Sequence, residues 1–345
     1  MQLTGLGLWL TAAIFLAAAV VVWAAGTRLT GYLDTIATIT GLDQAFTGML
    51  LLGGITSLPE VAAVATASVA GDAPLATNNL LGSVSINVLL IAFADAVLGR
   101  AALTSTVPTS TTMLQGALGM IALALVAVAV LTGDVALGWV GLWPIILSAY
   151  CVCAFWLSSR YARRPPWHAR DANPEGQGGD ADRSAHPSLR SLVMRTSLAA
   201  AFILVAGFLL ARAGEAIAVE TGLGSGLVGL VLVGFATSLP EVSSITAAVR
   251  RKRYEMALGD VFGTNLLTIG LLVLSDALYL KGPVLREAGR FEAIASLIGV
   301  LLTGIFLVGL IERQSKTVLR MGYDAVLAIV VFAGGLVILY FNQGS

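Results

Sequence analysis

Two copies of one pattern, 181 residues apart, constrain this chain more than any other feature of its sequence. Residues 53–87 read GGITSLPEVAAVATASVAGDAPLATNNLLGSVSIN, and residues 234–268 read GFATSLPEVSSITAAVRRKRYEMALGDVFGTNLLT. Superposing the copies requires no gap, and Glu60 then falls on Glu241. Because a shared register over this length indicates an internal repeat, the sequence predicts two homologous halves.

The same offset extends beyond the two copies. It places Asp34 on Glu215, Asp95 on Asp276, and the tripeptide at 40–42 on that at 221–223. The repeat therefore covers most of the first three predicted helices of each half.

The composition is that of an integral membrane protein. Apolar residues make up 57% of the 345 residues, and charged residues only 12%, against about 25% in soluble domains. Basic and acidic residues balance, so net charge gives no support for nucleic-acid binding. Counting apolar runs of about 20 residues, we predict an all-α fold with ten transmembrane helices at 6–26, 43–70, 76–98, 111–132, 135–158, 193–213, 224–249, 255–279, 290–311 and 322–341.

A polar stretch divides these ten spans into five and five. Residues 1–158 form the first predicted repeat, 159–192 a linker rich in Arg, Asp, Pro and Gly, and 193–345 the second repeat. Such a composition cannot bury a core. His168 and His186 fall in the linker, where we expect them to be solvated.

The distribution of Lys and Arg predicts the orientation. If the linker is cytoplasmic, most basic residues, including the cluster at 250–253, lie on the cytoplasmic side. We therefore expect a multi-pass protein of the inner (plasma) membrane with both termini outside and the first apolar run retained as a helix. Because five is odd, the second half must be inverted relative to the first. Inverted repeats are typical of secondary transporters, whose sites lie at the membrane midplane.

Each copy of the pattern places a glutamate beside a helix break. Proline removes an N–H donor and clashes with the preceding turn, so Pro59 and Pro240 predict broken helices. Thr56 and Ser57 lie about one turn before Glu60, on the same helix face. The second copy repeats this with Thr237, Ser238 and Glu241, and the following helices add Ser83, Asn87, Thr264 and Thr268.

These side chains offer oxygen donors without nitrogen or sulfur ligands such as His and Cys. Hard cations such as Ca²⁺ take six to eight oxygen ligands, some of them carboxylate. Ionisable residues inside a membrane are costly and usually functional, so we interpret the set as a cation site. Five glycines are expected to let the helices approach closely around it: Gly53, Gly54, Gly82, Gly234 and Gly263.

Some polar residues have a structural alternative. Ser83 and Thr264 could instead join helices by hydrogen bonds. Asp95 and Asp276, near helix ends, could lie at the water interface or serve a proton path, and Asp34 is expected to be interfacial. Cys151 and Cys153 are expected to pack as small apolar residues.

At these motifs the sequence resembles the calcium/cation antiporter superfamily, in particular bacterial sodium/calcium exchangers. That family carries G-T-S-L-P-E followed by G-N-x-x-G-S-N-x-x-N, or its aspartate variant, in both repeats. The resemblance implies that Glu60 and Glu241 bind both Ca²⁺ and Na⁺, with the hydroxyls and Asn87 completing the site. It also implies that the first and sixth helices slide across the others during exchange.

The chain departs from the family pattern at several positions. Thr268 stands where sodium/calcium exchangers usually have aspartate, Val84 replaces the asparagine of G-S-N, and Asn78 replaces the glycine of G-N. Asn79 and Asp260 keep the next position of the motif. Counting the two glutamates alone gives two negative charges, which one Ca²⁺ or two monovalent ions would balance. On that count we expect electroneutral exchange.

The sequence thus predicts a secondary antiporter that moves Ca²⁺ in exchange for Na⁺, or H⁺. The alternatives are a Na⁺/H⁺ exchanger and a Ca²⁺/H⁺ antiporter. An enzyme is not expected, because the spans contain no histidine and no H-E-x-x-H pair, and no P-loop is present. A channel suits broken, inverted repeats less well. The expected partners are small inorganic cations and the lipid bilayer, with no cofactor, nucleic acid or obligate protein partner.

Overall fold

The structure is a computed structural model and describes residues 7–99, 102–106, 110–162, 188–220, 235–314, 317–318 and 321–342. The predicted linker is described only at its two ends, and both of its histidines lie outside the described residues. The tripeptide at 221–223 and Gly234 also lie outside them.

The described part of the chain is almost entirely helical. The first half contains α1 (Leu8–Thr40), α2 (Gln44–Thr47), a π-helical turn (Gly48–Leu52), α3 (Gly53–Thr56), α4 (Leu58–Val69), α5 (Ala73–Leu98), α6 (Leu103–Thr106), α7 (Ser110–Thr132), β1 (Ala136–Leu137), β2 (Val140–Gly141) and α8 (Leu142–Ala162). The second half contains α9 (Leu189–Glu220), α10 (Leu239–Arg250), α11 (Tyr254–Gly270), α12 (Leu272–Leu278), a 3₁₀ turn (Val284–Arg286), α13 (Arg290–Glu312), β3 (Thr317–Val318), β4 (Met321–Gly322) and α14 (Tyr323–Phe341).

Eight segments of the described chain are long and apolar enough to cross a membrane, and a bent pair of helical segments makes a possible ninth. The bent pair runs from Gln44 to Thr56 and from Leu58 to Val69, with an angle of 46° between its parts. The predicted span at 224–249 begins outside the described residues, so the tenth crossing is described only from residue 235 onward. The chain is therefore a multi-pass membrane protein.

The two long helices α1 and α9 extend well past the predicted spans at 6–26 and 193–213. α1 has 33 residues, about 50 Å of helix, whereas the apolar layer of a bilayer is about 30 Å thick. The prediction followed apolar content, but the polar residues after 26 continue the helix until Gly41 ends it at φ 71°. α1 and α9 pack along each other, and α1 also packs on α10.

Two short β-hairpins precede helices, and the first replaces the beginning of a predicted span. Residues 136–141 form the hairpin β1–β2, with Gly138 at φ 75°, so α8 starts at Leu142 rather than at 135. The equivalent hairpin β3–β4 precedes α14. A glycine in the left-handed region allows the tight turn that this short ribbon needs.

α5 and α11 form the centre of the molecule. Their apolar side chains are largely buried, and α7, α8, α13 and α14 pack around them in one continuous core. The largest fully buried side chains of this core include Phe262 on α11 and Phe306 on α13. The polar positions of α5 and α11 are thereby held inside the protein and away from lipid.

Close helix approach depends on particular glycines. A Cβ atom at Gly263 would lie 2.4 Å from the Cα and carbonyl oxygen of Met49, and one at Gly53 would lie 2.9 Å from the Thr264 hydroxyl. The expectation of close packing is therefore confirmed for Gly53 and Gly263. It is wrong for Gly54, where a Cβ atom would have no heavy atom within 4 Å.

Candidate cation site

Both repeats break their helices one residue before the Leu-Pro-Glu motif. Ser57, between α3 and α4, has φ −76° and ψ 0°, and Ser238 has almost the same values, −83° and 1°. Each proline then occupies the first turn of the following helix, where its missing N–H costs no hydrogen bond. The predicted breaks at Pro59 and Pro240 are thus confirmed, and each starts a new helix inside the protein.

The glutamates follow directly, in the first turns of α4 and α10. Glu60 and Glu241 are both 0% exposed. None of their four carboxylate oxygens has a hydrogen-bond partner among the described residues. The N-terminus of a helix favours a negative group, but a buried carboxylate without partners remains costly. The site is therefore built to receive a positively charged group.

The threonine hydroxyl of each motif lies beside the glutamate of the other motif. Thr237 lies beside Glu60, and Thr56 lies beside Glu241, although neither pair has the geometry of a well-formed hydrogen bond. Each carboxylate therefore faces the hydroxyl of the opposite half. The two glutamates are also close enough to repel each other electrostatically.

α5 and α11 carry the remaining predicted residues, of which Ser83 and Thr264 lie against the motif segments. Ser83 on α5 lies 3.4 Å from the Thr237 hydroxyl, which joins the helix of the first half to the motif of the second. The expectation of helix-to-helix contact is met for Ser83, whereas the Thr264 hydroxyl has no partner among the described residues. All ten predicted site residues are fully buried: Thr56, Ser57, Glu60, Ser83, Asn87, Thr237, Ser238, Glu241, Thr264 and Thr268.

Several donors have no hydrogen-bond partner within the described residues. Thr56 and Ser57 are occupied: the Ser57 hydroxyl donates to the carbonyl of Gly53 at 2.7 Å, and the single Thr56 hydroxyl hydrogen is shared among the carbonyls of Leu52 and Gly53 and the Asp260 carboxylate. The unpartnered atoms are the Oγ of Ser238, the Oγ1 of Thr264 and Thr268, and both amide atoms of Asn87. The oxygens among them are neutral donors of the kind that hard cations such as Ca²⁺ bind together with carboxylates.

Sequence reasoning missed one carboxylate. Asp260 on α11 is 0% exposed, and it accepts hydrogen bonds from the hydroxyls of Ser244 and Thr56. Its charge also acts on Glu241. Asp260 is thus a further buried carboxylate in addition to the two glutamates on which the expectation of electroneutral exchange was based. Asp260 was visible as the aspartate at the asparagine position of the family motif, but spacing alone could not tell that its side chain points inward.

The acidic residues do not form a closed metal cluster by themselves. In the described ranges, no three His, Cys, Asp or Glu side chains are gathered closely enough to hold a metal ion. Hydroxyl and amide oxygens must therefore complete any coordination shell. A site of this kind releases its ion more readily than one built from carboxylates alone, which suits an ion that is carried rather than stored.

The other acidic residues with open roles are structural. Asp95 and Asp276 are buried within the protein, and each accepts hydrogen bonds from two backbone N–H groups. Asp34 forms an ion pair of 2.7 Å with Arg253, which ties α1 to the turn between α10 and α11. Of the two cysteines, Cys151 is buried in the core and Cys153 is exposed on the helix surface.

Comparison with known proteins identifies the family to which the chain belongs. The family model "Sodium/calcium exchanger protein" matches residues 10–158 and 192–342. The "Putative antiporter CaxA" of Alkalimonas amylolytica is 26% identical over 325 residues, which cover 91% of this chain and 97% of that protein. The "Inner membrane protein YrbG" of Escherichia coli is 26% identical over 245 residues, covering 71% of this chain and 72% of that protein.

Solved structures share the fold. A structure of the sodium-calcium exchanger NCX_Mj soaked with Na⁺ and Sr²⁺ has a TM-score of 0.68 at 20% identity, covering 96% of this chain and 99% of that one. A second structure of the same exchanger, soaked with Na⁺ in zero Ca²⁺, has a TM-score of 0.67 at 18% identity. The two matched segments together span most of the sequence, and the chain therefore belongs to the sodium/calcium exchanger family of membrane transporters.

Proposed function

We propose that this protein is a secondary active antiporter that moves Ca²⁺ across the membrane in exchange for Na⁺ by alternating access. The observation that carries the proposal is the pair Glu60 and Glu241, two fully buried carboxylates whose oxygens have no partner among the described residues. A divalent cation would satisfy both at once. Small monovalent cations would satisfy the same oxygens singly, so two kinds of ion compete for one site.

The ligands proposed for the carried ion are the ten residues predicted from the sequence. The carboxylates of Glu60 and Glu241 supply charge, and neutral oxygens come from the hydroxyls and Asn87. Competition at a single site couples the ions, because the protein changes between its inward-facing and outward-facing states only with the two glutamates neutralised. Family membership and the fold support cation exchange.

The proposed architecture is ten transmembrane helices in two inverted repeats, 1–158 and 193–345, joined by a cytoplasmic linker at 159–192. Two reciprocal contacts support the inversion. Asp95 of the first half binds Gly322 of the second, and Asp276 of the second half binds Gly141 of the first. In the proposed topology these contacts lie on opposite sides of the membrane. The basic cluster at 250–253 would lie on the cytoplasmic side of the inner membrane.

The experiment is Ca²⁺ uptake into proteoliposomes that contain the purified protein and are loaded with Na⁺. We expect radiolabelled Ca²⁺ to accumulate only while an outward Na⁺ gradient exists. Uptake that persists without Na⁺ and stops when a proton gradient is collapsed would replace the proposal with a Ca²⁺/H⁺ antiporter. Na⁺ movement driven by a proton gradient, without Ca²⁺ movement, would identify a Na⁺/H⁺ exchanger instead.

A further inference from the structure

Asp260 occupies a position between the two motifs. Its Oδ1 lies 3.4 Å from the Thr56 hydroxyl of the first repeat, and its Oδ2 accepts a short hydrogen bond from Ser244, three residues after Glu241. Thr264, one turn further along α11, also lies beside it. The side chain thus contacts the hydroxyls that frame both glutamates.

The surroundings of Asp260 supply no positive charge. Among the described residues, no lysine, arginine or histidine forms an ion pair with Asp260, Glu60 or Glu241. Three carboxylates buried together without a counter-charge are strongly unfavourable. Hydroxyl donors reduce this cost but leave the negative charge in place.

Unpartnered oxygens on the same helix indicate where a cation would compensate that charge. The Oγ1 atoms of Thr264 and Thr268 are both fully buried and lack hydrogen-bond partners within the described ranges. They follow Asp260 at successive turns of α11, so the three side chains share one face.

The two halves differ at this point. The position of Asp260 is occupied by Asn79 in the first half, and that of Thr268 by Asn87. The second repeat therefore carries its additional carboxylate at the start of this face, two turns, or about 12 Å, before Thr268. An asparagine fits the equivalent place in the first repeat, so the fold does not require a carboxylate there.

We propose that Asp260 is a third buried acidic group beside the cation site, not one of its ligands, and that it raises the affinity of the site for divalent over monovalent cations. Asp260 acts by its negative charge and by holding the Thr56 hydroxyl in place beside Glu241. The inference rests on the proposed function, because it concerns the same site. Its test measures cation binding rather than transport, so the two can fail separately.

The test is a thermal unfolding titration of the purified protein in detergent, with Ca²⁺ and Na⁺ added separately. In the variant Asp260→Asn, half-maximal stabilisation should require at least about tenfold more Ca²⁺, with a smaller change for Na⁺; tenfold corresponds to about 1.4 kcal/mol. Asp276→Asn is the matched control, because it removes a buried aspartate that holds only backbone N–H groups. Its stability should fall while its Ca²⁺ dependence stays that of the wild type.

A second variant distinguishes two explanations for weaker Ca²⁺ binding, the loss of a negative charge and damage to the fold. In Asp260→Asn/Thr268→Asp the carboxylate is returned to the same face of α11, and the Ca²⁺ dependence should recover at least partly. An unchanged Ca²⁺ dependence in Asp260→Asn would overturn the inference, as would equal losses for Ca²⁺ and Na⁺ without recovery in the double variant. Absence of any stabilisation of the wild type by Ca²⁺ would also overturn it. Stabilisation by Ca²⁺ without Na⁺-driven uptake would instead contradict the proposed function alone.

Discussion

The carboxylate of Asp276, in the second half of the chain, accepts a hydrogen bond of 2.5 Å from the backbone N–H of Gly141, in the first half. Its other oxygen accepts the N–H of Val284 at 2.6 Å. Asp95, at the equivalent position of the first half, binds the N–H groups of Leu103 and Gly322 in the same way. Each half therefore holds the hairpin of the other.

We expect Asp276→Asn and Asp95→Asn to lower stability without changing ion affinity. An amide retains one acceptor oxygen and turns an NH₂ group toward a backbone donor, so one buried N–H loses its partner at a cost of about 1–3 kcal/mol. Thermal unfolding measures the effect, with Glu287→Gln on the exposed surface as the control. Altered Ca²⁺ affinity at unchanged stability would instead place these residues on an ion or proton path.

The close packing at Gly263 leads to a prediction for which Gly54 provides the control. Gly263→Ala should destabilise the protein by several kcal/mol, because its Cβ would overlap backbone atoms of Met49, which cannot rotate away. Gly54→Ala adds the same methyl group where no atom lies within 4 Å. This control should unfold at or above the wild-type temperature, since alanine favours helix over glycine. Equal effects of the two substitutions would contradict the packing described between α11 and the π-helical turn.

Much of this arrangement could be predicted from the sequence, because the 181-residue offset fixes which residues are equivalent and proline fixes where the helices break. The positions of Glu60 and Glu241 followed from those two facts. The length of α1 did not, because a helix continues through polar residues when it packs on neighbours rather than on lipid. The roles of Asp95 and Asp276 could not be predicted either, because they depend on hairpins more than 100 residues away in the sequence.

Asp260 was the most consequential omission at the site. The aspartate is visible in the second motif, but the helix breaks at proline single out only the two glutamates, and only these were counted as charges of the site. Helical spacing defines which residues share a face of α11, but it cannot say which face meets the opposite repeat. Only the contact with Thr56, 204 positions away in the sequence, places this carboxylate inside.

Replacing Thr268 should have opposite effects on two quantities, the stability of the cation-free protein and its affinity for Ca²⁺. Its hydroxyl oxygen is buried and unpartnered among the described residues, so Thr268→Val should leave the cation-free protein as stable or more stable. The same change removes a proposed cation ligand and should weaken Ca²⁺ binding several-fold. Thermal unfolding with and without Ca²⁺ measures both effects.

Ser275→Ala is the control for the Thr268 prediction. The Ser275 hydroxyl is equally buried but is hydrogen-bonded to Ser68 at 2.8 Å. Its removal should lower stability by about 1 kcal/mol and leave the Ca²⁺ dependence unchanged. If Thr268→Val lowers stability and leaves Ca²⁺ binding intact, Thr268 is a structural residue.

The third carboxylate changes the expected response to membrane potential. One Ca²⁺ leaves one of three carboxylate charges unbalanced, whereas three monovalent ions balance all of them. Exchange on that basis carries one net positive charge outward for each Ca²⁺ taken up by Na⁺-loaded vesicles. An imposed inside-positive potential should therefore accelerate Ca²⁺ uptake. Uptake that is indifferent to potential would restore the electroneutral count based on Glu60 and Glu241 alone.

The most direct test of the account is Na⁺-driven Ca²⁺ uptake by Glu60→Gln and Glu241→Gln. Glutamine keeps the size of the side chain and removes its charge, so each variant should fold and insert normally. The account predicts loss of at least about 99% of the uptake rate, since one lost carboxylate–cation interaction of about 3 kcal/mol reduces Ca²⁺ occupancy more than a hundredfold at subsaturating Ca²⁺. Glu287→Gln should transport at the wild-type rate. Wild-type uptake by either Glu60→Gln or Glu241→Gln would contradict the central claim that these two residues bind the exchanged ion.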